Sequence, residues 1–407
     1  MKILLNPIGS RGDIQPLVAL GVRLKQQGHE IRMAGSPNGA DMAARHQLDF
    51  HNVGFDVQQI LEEKRGAIAN PVRLFFLFRD LMEQSLKEQF KELVPHVAWA
   101  DVVISGGVVL AAASLCEREG KPFRYVAYCP QIIPSQDHPV LFVPFVRMPK
   151  IANRLLWWFS LKLIRFGLRK HFLPARKKLG LETTRDIEQH VIPKGKILYA
   201  IDERLTKIAD DLQPAVSTGF FHLPQPQELP ADLVAFIEAG EPPLYIGFGS
   251  MTDDDPQRTT NNILAAAKAA GVRVVISRGW AGLGDGAEIP SFAYVTGPIS
   301  HEMLFPRMAG IVHHGGAGTT AAASRSGRPQ AIVPHLLDQF YWAERLERLR
   351  IGPKGSWKIR LNTKKIQAIF TGFLQGEYEE NAMRLGEELR NRDGLQEAVA
   401  YIEALKT

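Results

Sequence analysis

Within the first forty residues a short apolar run, Ile3 to Asn6, leads through a glycine-containing turn to Leu17, Leu20 and Leu24 at helical spacing, then to Gly28 and a second apolar run from Ile31 to Ala34. This order is a βαβ unit. It constrains the fold more than any other feature, because two strands joined through a helix must lie parallel and have both faces covered. The turn itself, GSRGDIQP at 9–16, lacks the G-x-G-x-x-G spacing of a dinucleotide fold, which argues against nicotinamide or flavin chemistry. Further strands are expected at Val102 to Ser105 and Phe123 to Tyr128, with a helix through 106–120 between them. A helical, basic stretch from about 141 to 180 follows, and then the apolar run KILYAID at 196–202.

Pro214, Pro224, Pro226 and Pro230 then cluster without periodicity, as in a linker. A second α/β series begins beyond them. It has strands at PLYIGFGS (243–250), RVVISRG (273–279), FAYVTG (292–297) and GIVHH (310–314), a helix through Ile263 to Ala270, a helix-like HEMLFPRM (301–308), and charged amphipathic helices from about 364. A chain of 407 residues with 45% apolar content fits two such cores. The expected division is a first domain over 1–214, a linker over 215–240, a second domain over 241–385, and a last helical segment over 386–407 packing back on the first domain.

The net charge of +6 is a local property. Ten of the 49 Lys and Arg lie between Leu141 and Leu179, where there is no Asp or Glu, and the remaining 39 face 43 acidic residues. A nucleic-acid partner is therefore not expected. The same stretch carries Trp157, Trp158, Phe142, Phe145, Phe159, Phe166 and Phe172. On a helix, Arg154, Lys162, Arg165 and Arg169 fall in one sector, with Leu155, Leu156, Phe159, Leu163 and Phe166 across from it. Two readings fit: a core helix with a solvated basic face, or a helix peripheral on an anionic membrane surface. No apolar run of membrane-spanning length is present, the N-terminal apolar segment is too short for a secretory signal, and the two cysteines, Cys116 and Cys129, lack metal-ligand spacing. A reducing, cytoplasmic setting is expected, with a peripheral position on the inner membrane face under the second reading.

The most informative turn is HHGGAGTTAAASRSGRPQAIVPHLLDQ, His313 to Gln339. Glycines ahead of a helix start let an anion approach the backbone, where unpaired N–H groups and the positive end of the helix dipole await it. A phosphate is the expected ligand. Taken with GSRGDIQPLVALG near the N-terminus and GFGS opening the second series, this stretch resembles the nucleotide-sugar glycosyltransferases with two Rossmann-like domains facing each other across a cleft, the GT-B fold. Within them it is similar to the branch containing sterol glucosyltransferases and glycopeptide-antibiotic glycosyltransferases.

The resemblance implies an enzyme that transfers a hexose from a UDP- or TDP-sugar, most simply UDP-glucose, to a hydroxyl of a hydrophobic acceptor, with inversion and without a metal or other cofactor. Asp13, at the position where many relatives carry a histidine, is implied as the general base. The diphosphate and nucleotide would be held by Ser10, Ser250, His314, Gly316, Ala317, Gly318 and Thr319, and the hexose by Asp338 and Gln339. Where plant-type relatives use Trp and Gln for base and ribose this chain has GPIS, so Trp280 and the backbone near Ile299 are the expected substitutes, and Ala322 stands in place of a ribose-binding Glu. The acidic run Asp253 to Asp255 reads as a polar helix start. Within this chemistry a sterol-like or other polycyclic lipid is the expected acceptor, with a soluble polyketide or glycopeptide aglycone as the alternative. A non-catalytic nucleotide- or lipid-binding regulator is the alternative from another class.

Overall fold

The computed structural model describes residues 1–56, 71–183, 186–223 and 228–406, so Pro224 and Pro226 of the expected linker lie outside the described residues. Two parallel sheets organise the chain. The first has seven strands in the order β3-β2-β1-β4-β5-β6-β7: β1 (Lys2–Ile8), β2 (Glu30–Gly35), β3 (Asp49–Asn52), β4 (Val102–Gly107), β5 (Phe123–Ala127), β6 (Ile197–Tyr199) and β7 (Val216–Ser217). The second has five in the order β10-β9-β8-β11-β12: β8 (Leu244–Gly247), β9 (Val274–Ser277), β10 (Ala293–Thr296), β11 (Gly310–His313) and β12 (Gln330–Ile332). Every pairing between neighbours is parallel. This is the two-domain α/β architecture that the paired βαβ series implies.

The differences from the sequence pattern are instructive. The helix expected over 106–120 is confined to Ala112–Glu119, because Gly107 takes φ 82 and the next residue, Val108, donates its N–H to the Ile8 carbonyl at the end of β1. The basic helix begins only at Lys150. Strands β3 and β7 carry too little apolar periodicity to be read, the one being DFHN and the other two residues long. Because β7 pairs with β6, the first sheet runs past 214, and the expected linker also contains a helix, Ala231–Glu238.

Five helices carry the argument: α1 (Arg11–Gln26), α2 (Lys150–Lys178), α3 (Ala317–Ser326), α4 (Gln339–Leu349) and α5 (Gly394–Glu403). Helix α5 returns to the first domain, where Leu395, Ala398, Val399 and Ile402 join the cluster of Ile3, Leu5, Leu17 and Leu20. Arg23 of α1 clasps Asp393 at its N-cap at 2.9 Å. Since an exposed ion pair contributes little and burial of aliphatic side chains much more, the apolar contact holds this helix in place. Ile402→Ala is expected to destabilise the protein by about 2–5 kcal/mol, read as a lowered melting temperature. An unchanged transition would mean that α5 is not part of the first domain's folding unit.

Helix α2 reverses an expectation. The side of the helix that packs inward carries Asn153, Trp157, Leu168 and Phe172, while Leu155, Phe159 and Phe166 of the apolar stripe face outward. Among the described residues no helix is long and apolar enough to cross a membrane.

Candidate active site

Each sheet changes direction of growth once. After β3 the chain returns to lay β4 on the far side of β1, and after β10 it lays β11 on the far side of β8. At such switch points the loops leaving the carboxyl ends of the strands part and form a crevice. Ser10 and Asp13 follow β1 in the first domain; Ser250 follows β8 and His314 follows β11 in the second. Helices α1 and α3 begin at these two crevices and approach one another across the domain seam, with Ala317 packed against apolar clusters that include first-domain residues.

Asp13 sits in the first turn of α1. Its Oδ2 accepts the Ser10 backbone N–H at 2.8 Å and the Ser10 hydroxyl at 3.1 Å, while Tyr128 Oη donates to the Asp13 carbonyl at 3.1 Å. The turn admits only glycine at position 9, since a Cβ there would lie 2.2 Å from that same Oδ2. Burial raises the Asp13 carboxyl to about 6, against the pull of the two Ser10 bonds, which lower it. A carboxylate with this affinity for protons is a better base than an exposed one and is still ionised at neutral pH. Ser10, expected on the donor, here orients Asp13.

In the second domain, the His314 ring is clasped by two glycines. A Cβ on Gly249 would approach its Cε1 to 2.8 Å and one on Gly316 its Nε2 to 2.6 Å. Burial, together with neighbouring His313, His335 and His301, holds His314 well below the usual imidazole range, so it is neutral and carries one N–H. Its Nδ1 is buried and has no partner among the described residues. Gly316 is the N-cap of α3, and the N–H groups of Ala317, Gly318 and Thr319 form its first turn, where the intrahelical acceptors are missing. Thr319 is half-buried there, whereas the Thr320 hydroxyl is used within the helix, donating to the Gly316 carbonyl at 2.9 Å. His313, the last residue of β11, is structural: its Nδ1 accepts the Gly315 N–H at 3.1 Å and its Nε2 bonds Gln330 at 2.9 Å.

Asp338 stands at the N-cap position of α4 without a side-chain capping bond, and its Oδ2 accepts the indole N–H of Trp342 at 3.0 Å. Burial raises its carboxyl to about 6, and the charge of Asp13 adds to the rise. The two carboxylates, from different domains, therefore sense each other across the seam. Gln339 is buried, and its Oε1 accepts the N–H groups of His335 and Leu336 at 2.7 and 3.2 Å, so its side chain closes its own turn. Ser250 is half-buried in the loop after β8, Trp280 donates its backbone N–H to the Gly249 carbonyl at 2.9 Å, and the Ile299 side chain packs with Tyr245, Leu304 and Phe305. The loops leaving β8 and β9 thus lie against each other, and the Ile299 side chain is half-buried.

Of the acidic run, Asp253 pairs with Lys358 at 2.6 Å and Asp255 caps a helix by accepting the Arg258 N–H at 2.9 Å. Among the described residues no group of three or more His, Cys, Asp or Glu side chains is arranged to hold a metal.

Two polar residues on the first-domain side of the seam were not singled out by the sequence. Gln131 follows β5 and is fully buried with neither amide atom paired among the described residues. His138 is buried with both ring nitrogens unpaired, its ring edge-on to Trp157 and to Tyr341 of α4, and burial lowers it to about 4. Buried polar groups without partners are costly and mark places where a ligand or water is accommodated. The one legible signal was position, since both follow a strand's carboxyl end in CPQIIPSQDHP. A cavity of about 180 Å³ opens at the same seam, between Val146 and Arg147 on one side and Phe340, Glu344 and Trp357 on the other.

Comparison with known proteins agrees with this geometry. The glycosyltransferase family 28 N-terminal domain matches residues 3–120, and the C-terminal domain of the erythromycin biosynthesis protein CIII-like family matches residues 261–405. Vancomycin aglycone glucosyltransferase of Amycolatopsis orientalis is 33% identical over 366 residues, covering 86% of this chain and 85% of that protein. Sterol 3-beta-glucosyltransferase UGT80B1 of Arabidopsis thaliana is 28% identical over 426 residues, covering 98% of this chain and 67% of that protein. The fold matches that of the glycosyltransferase of kitacinnamycin with a TM-score of 0.74 at 18% identity, over 99% of this chain and 98% of that one.

Proposed function

This chain belongs to the UDP-glycosyltransferase superfamily, in the branch of the sterol and glycopeptide glycosyltransferases, and from that premise we propose that it moves glucose from UDP-glucose to a hydroxyl of a sterol-like or other polycyclic lipid. The observation that carries the reading is the convergence of Asp13 with Asp338 and the α3 N-terminus across one seam. The acceptor oxygen attacks the anomeric carbon from the Asp13 side and its proton passes to the Asp13 carboxylate. The bond to the diphosphate breaks on the opposite side, so the configuration inverts. Negative charge grows on the departing diphosphate, where the Ala317, Gly318 and Thr319 N–H groups and neutral His314 donate hydrogen bonds to it without ionic cost. Asp338 accepts from sugar hydroxyls through the carboxylate capacity that Trp342 leaves. A hydrophobic acceptor is favoured by the apolar surroundings of Trp342, the partner of Asp338, whose ring lies 6.4 Å from that of Phe220.

The test combines purified protein, UDP-glucose and a sterol dispersed in detergent. Acceptor-dependent UDP release with a product heavier by one hexosyl group supports the reading. A silent protein that binds UDP would make the chain a regulator, and turnover only on a glycopeptide or polyketide aglycone would move the acceptor to the soluble class. Because helix dipole and hydrogen bonds are assigned the leaving-group charge, EDTA is expected to leave the rate unchanged. Complete loss, restored by magnesium or manganese, would turn Asp253 and its neighbours into a metal site.

A further inference from the structure

Helix α2 presents an outer face that the described residues of its own domain leave exposed. Ile151 is 71% exposed, Leu155 62%, Trp158 57%, Phe159 55% and Phe166 86%, and the preceding loop adds Phe145 at 69%. A monomeric protein rarely leaves a run of large apolar side chains of this kind in water, and contiguous patches mark interaction sites. Basic residues are interleaved with them. Arg154, Lys162, Arg169 and Lys170 are exposed and form no ion pair among the described residues, and Lys162 Nζ lies 3.6 Å over the Trp158 ring. Arg165, by contrast, is committed to Asp186 and Glu188.

We propose that this face docks on the surface of an anionic lipid bilayer, with α2 lying in the interfacial plane. The aromatic and aliphatic side chains enter the headgroup–acyl boundary, and Arg154, Lys162, Arg169 and Lys170 stay at the level of the lipid phosphates. From Ile151 to Phe166 the helix offers about 22 Å of such contact at 1.5 Å per residue. Charge decides among occupants. A second copy of the chain would set two basic stretches against each other, since 141–179 contains ten Lys and Arg and no acidic residue. Protruding side chains on a convex helix give a protein partner no groove to fill, whereas a fluid interface accommodates each one. The inference stands whatever the acceptor is, so its failure leaves the transferase reading intact.

Full-length protein is to be sedimented with vesicles of phosphatidylcholine alone and of phosphatidylcholine with phosphatidylglycerol. Docking predicts binding to the second and little to the first, and binding that falls as salt is raised. Each basic residue near an anionic surface contributes about fivefold, so Lys162→Gln, Arg169→Gln and Lys170→Gln together are expected to lower partitioning at least tenfold. Trp158→Ser, Phe159→Ser and Phe166→Ser together are expected to do the same, with UDP affinity and melting temperature retained in both variants because all six residues lie outside the core. No binding to anionic vesicles overturns the proposal, as does binding equal to the parent's in both triple variants. A concentration-dependent dimer that the serine variant dissolves would assign the face to a second copy instead and overturn it too.

Discussion

Asp13→Asn is expected to lower turnover by about 10²-fold or more while leaving UDP affinity near that of the parent, the signature of losing base assistance in the transition state. Asparagine keeps the shape and still accepts the Ser10 N–H through Oδ1, so the helix start survives and the loss is chemical. The pH profile supplies a second reading. The Asp13 carboxyl stands at about 6, above the ordinary aspartate value, and the base form is the active one, so kcat/KM of the parent should be flat above about 7 and fall as pH drops through 6. Asp338 titrates in the same window and steepens the fall. Ser10→Ala removes one of the bonds that hold the Asp13 pKa down, and the acid limb should move to higher pH. Near-normal turnover in Asp13→Asn would remove this residue from the mechanism.

The second expectation divides the donor into its parts. His314 is assigned to phosphate and Asp338 to sugar, so His314→Ala should weaken UDP and UDP-glucose alike, by about 10- to 100-fold for one buried hydrogen bond to a charged group. Asp338→Ala should weaken UDP-glucose and spare UDP. Calorimetric titration of both ligands against both variants tests the pair. Equal losses for both ligands in both proteins would contradict the division. The same measurement on Gly316→Val checks the geometry independently, because a side chain there must displace the His314 ring that lies 2.6 Å from the Cβ position.

Much of this site could be read from linear sequence because its parts are local. The G-G-A-G-T-T stretch encodes a turn and a helix start within six residues, and GSRGDIQP places Asp13 in the first turn of the first helix. Gln131 and His138 carry no such signature: a single Gln and a single His in a proline-punctuated loop become noticeable only when the surrounding chain removes their water and leaves them unpaired among the described residues. Gln339 shows the reverse. Its motif is legible, yet in the folded chain its amide is taken by the His335 and Leu336 N–H groups.

By itself the amino-acid sequence determined the two βαβ series, the parallel sheets they require, the glycine-rich turn that opens α3 and the position of Asp13 on its helix, because period, glycine placement and capping act over a few residues. Tertiary structure decided the rest. That Asp13 and Asp338 both rise to about 6 follows from burial by segments hundreds of residues apart and from the seam that brings their charges together. Helix α2 makes the point most directly. Its periodicity defines an apolar stripe but not what lies opposite it, and the first domain buries Asn153, Trp157, Leu168 and Phe172 while leaving Phe159 and Phe166 outside. A pattern on one helix states which side chains avoid water; only the arrangement of its neighbours determines which of them are given shelter.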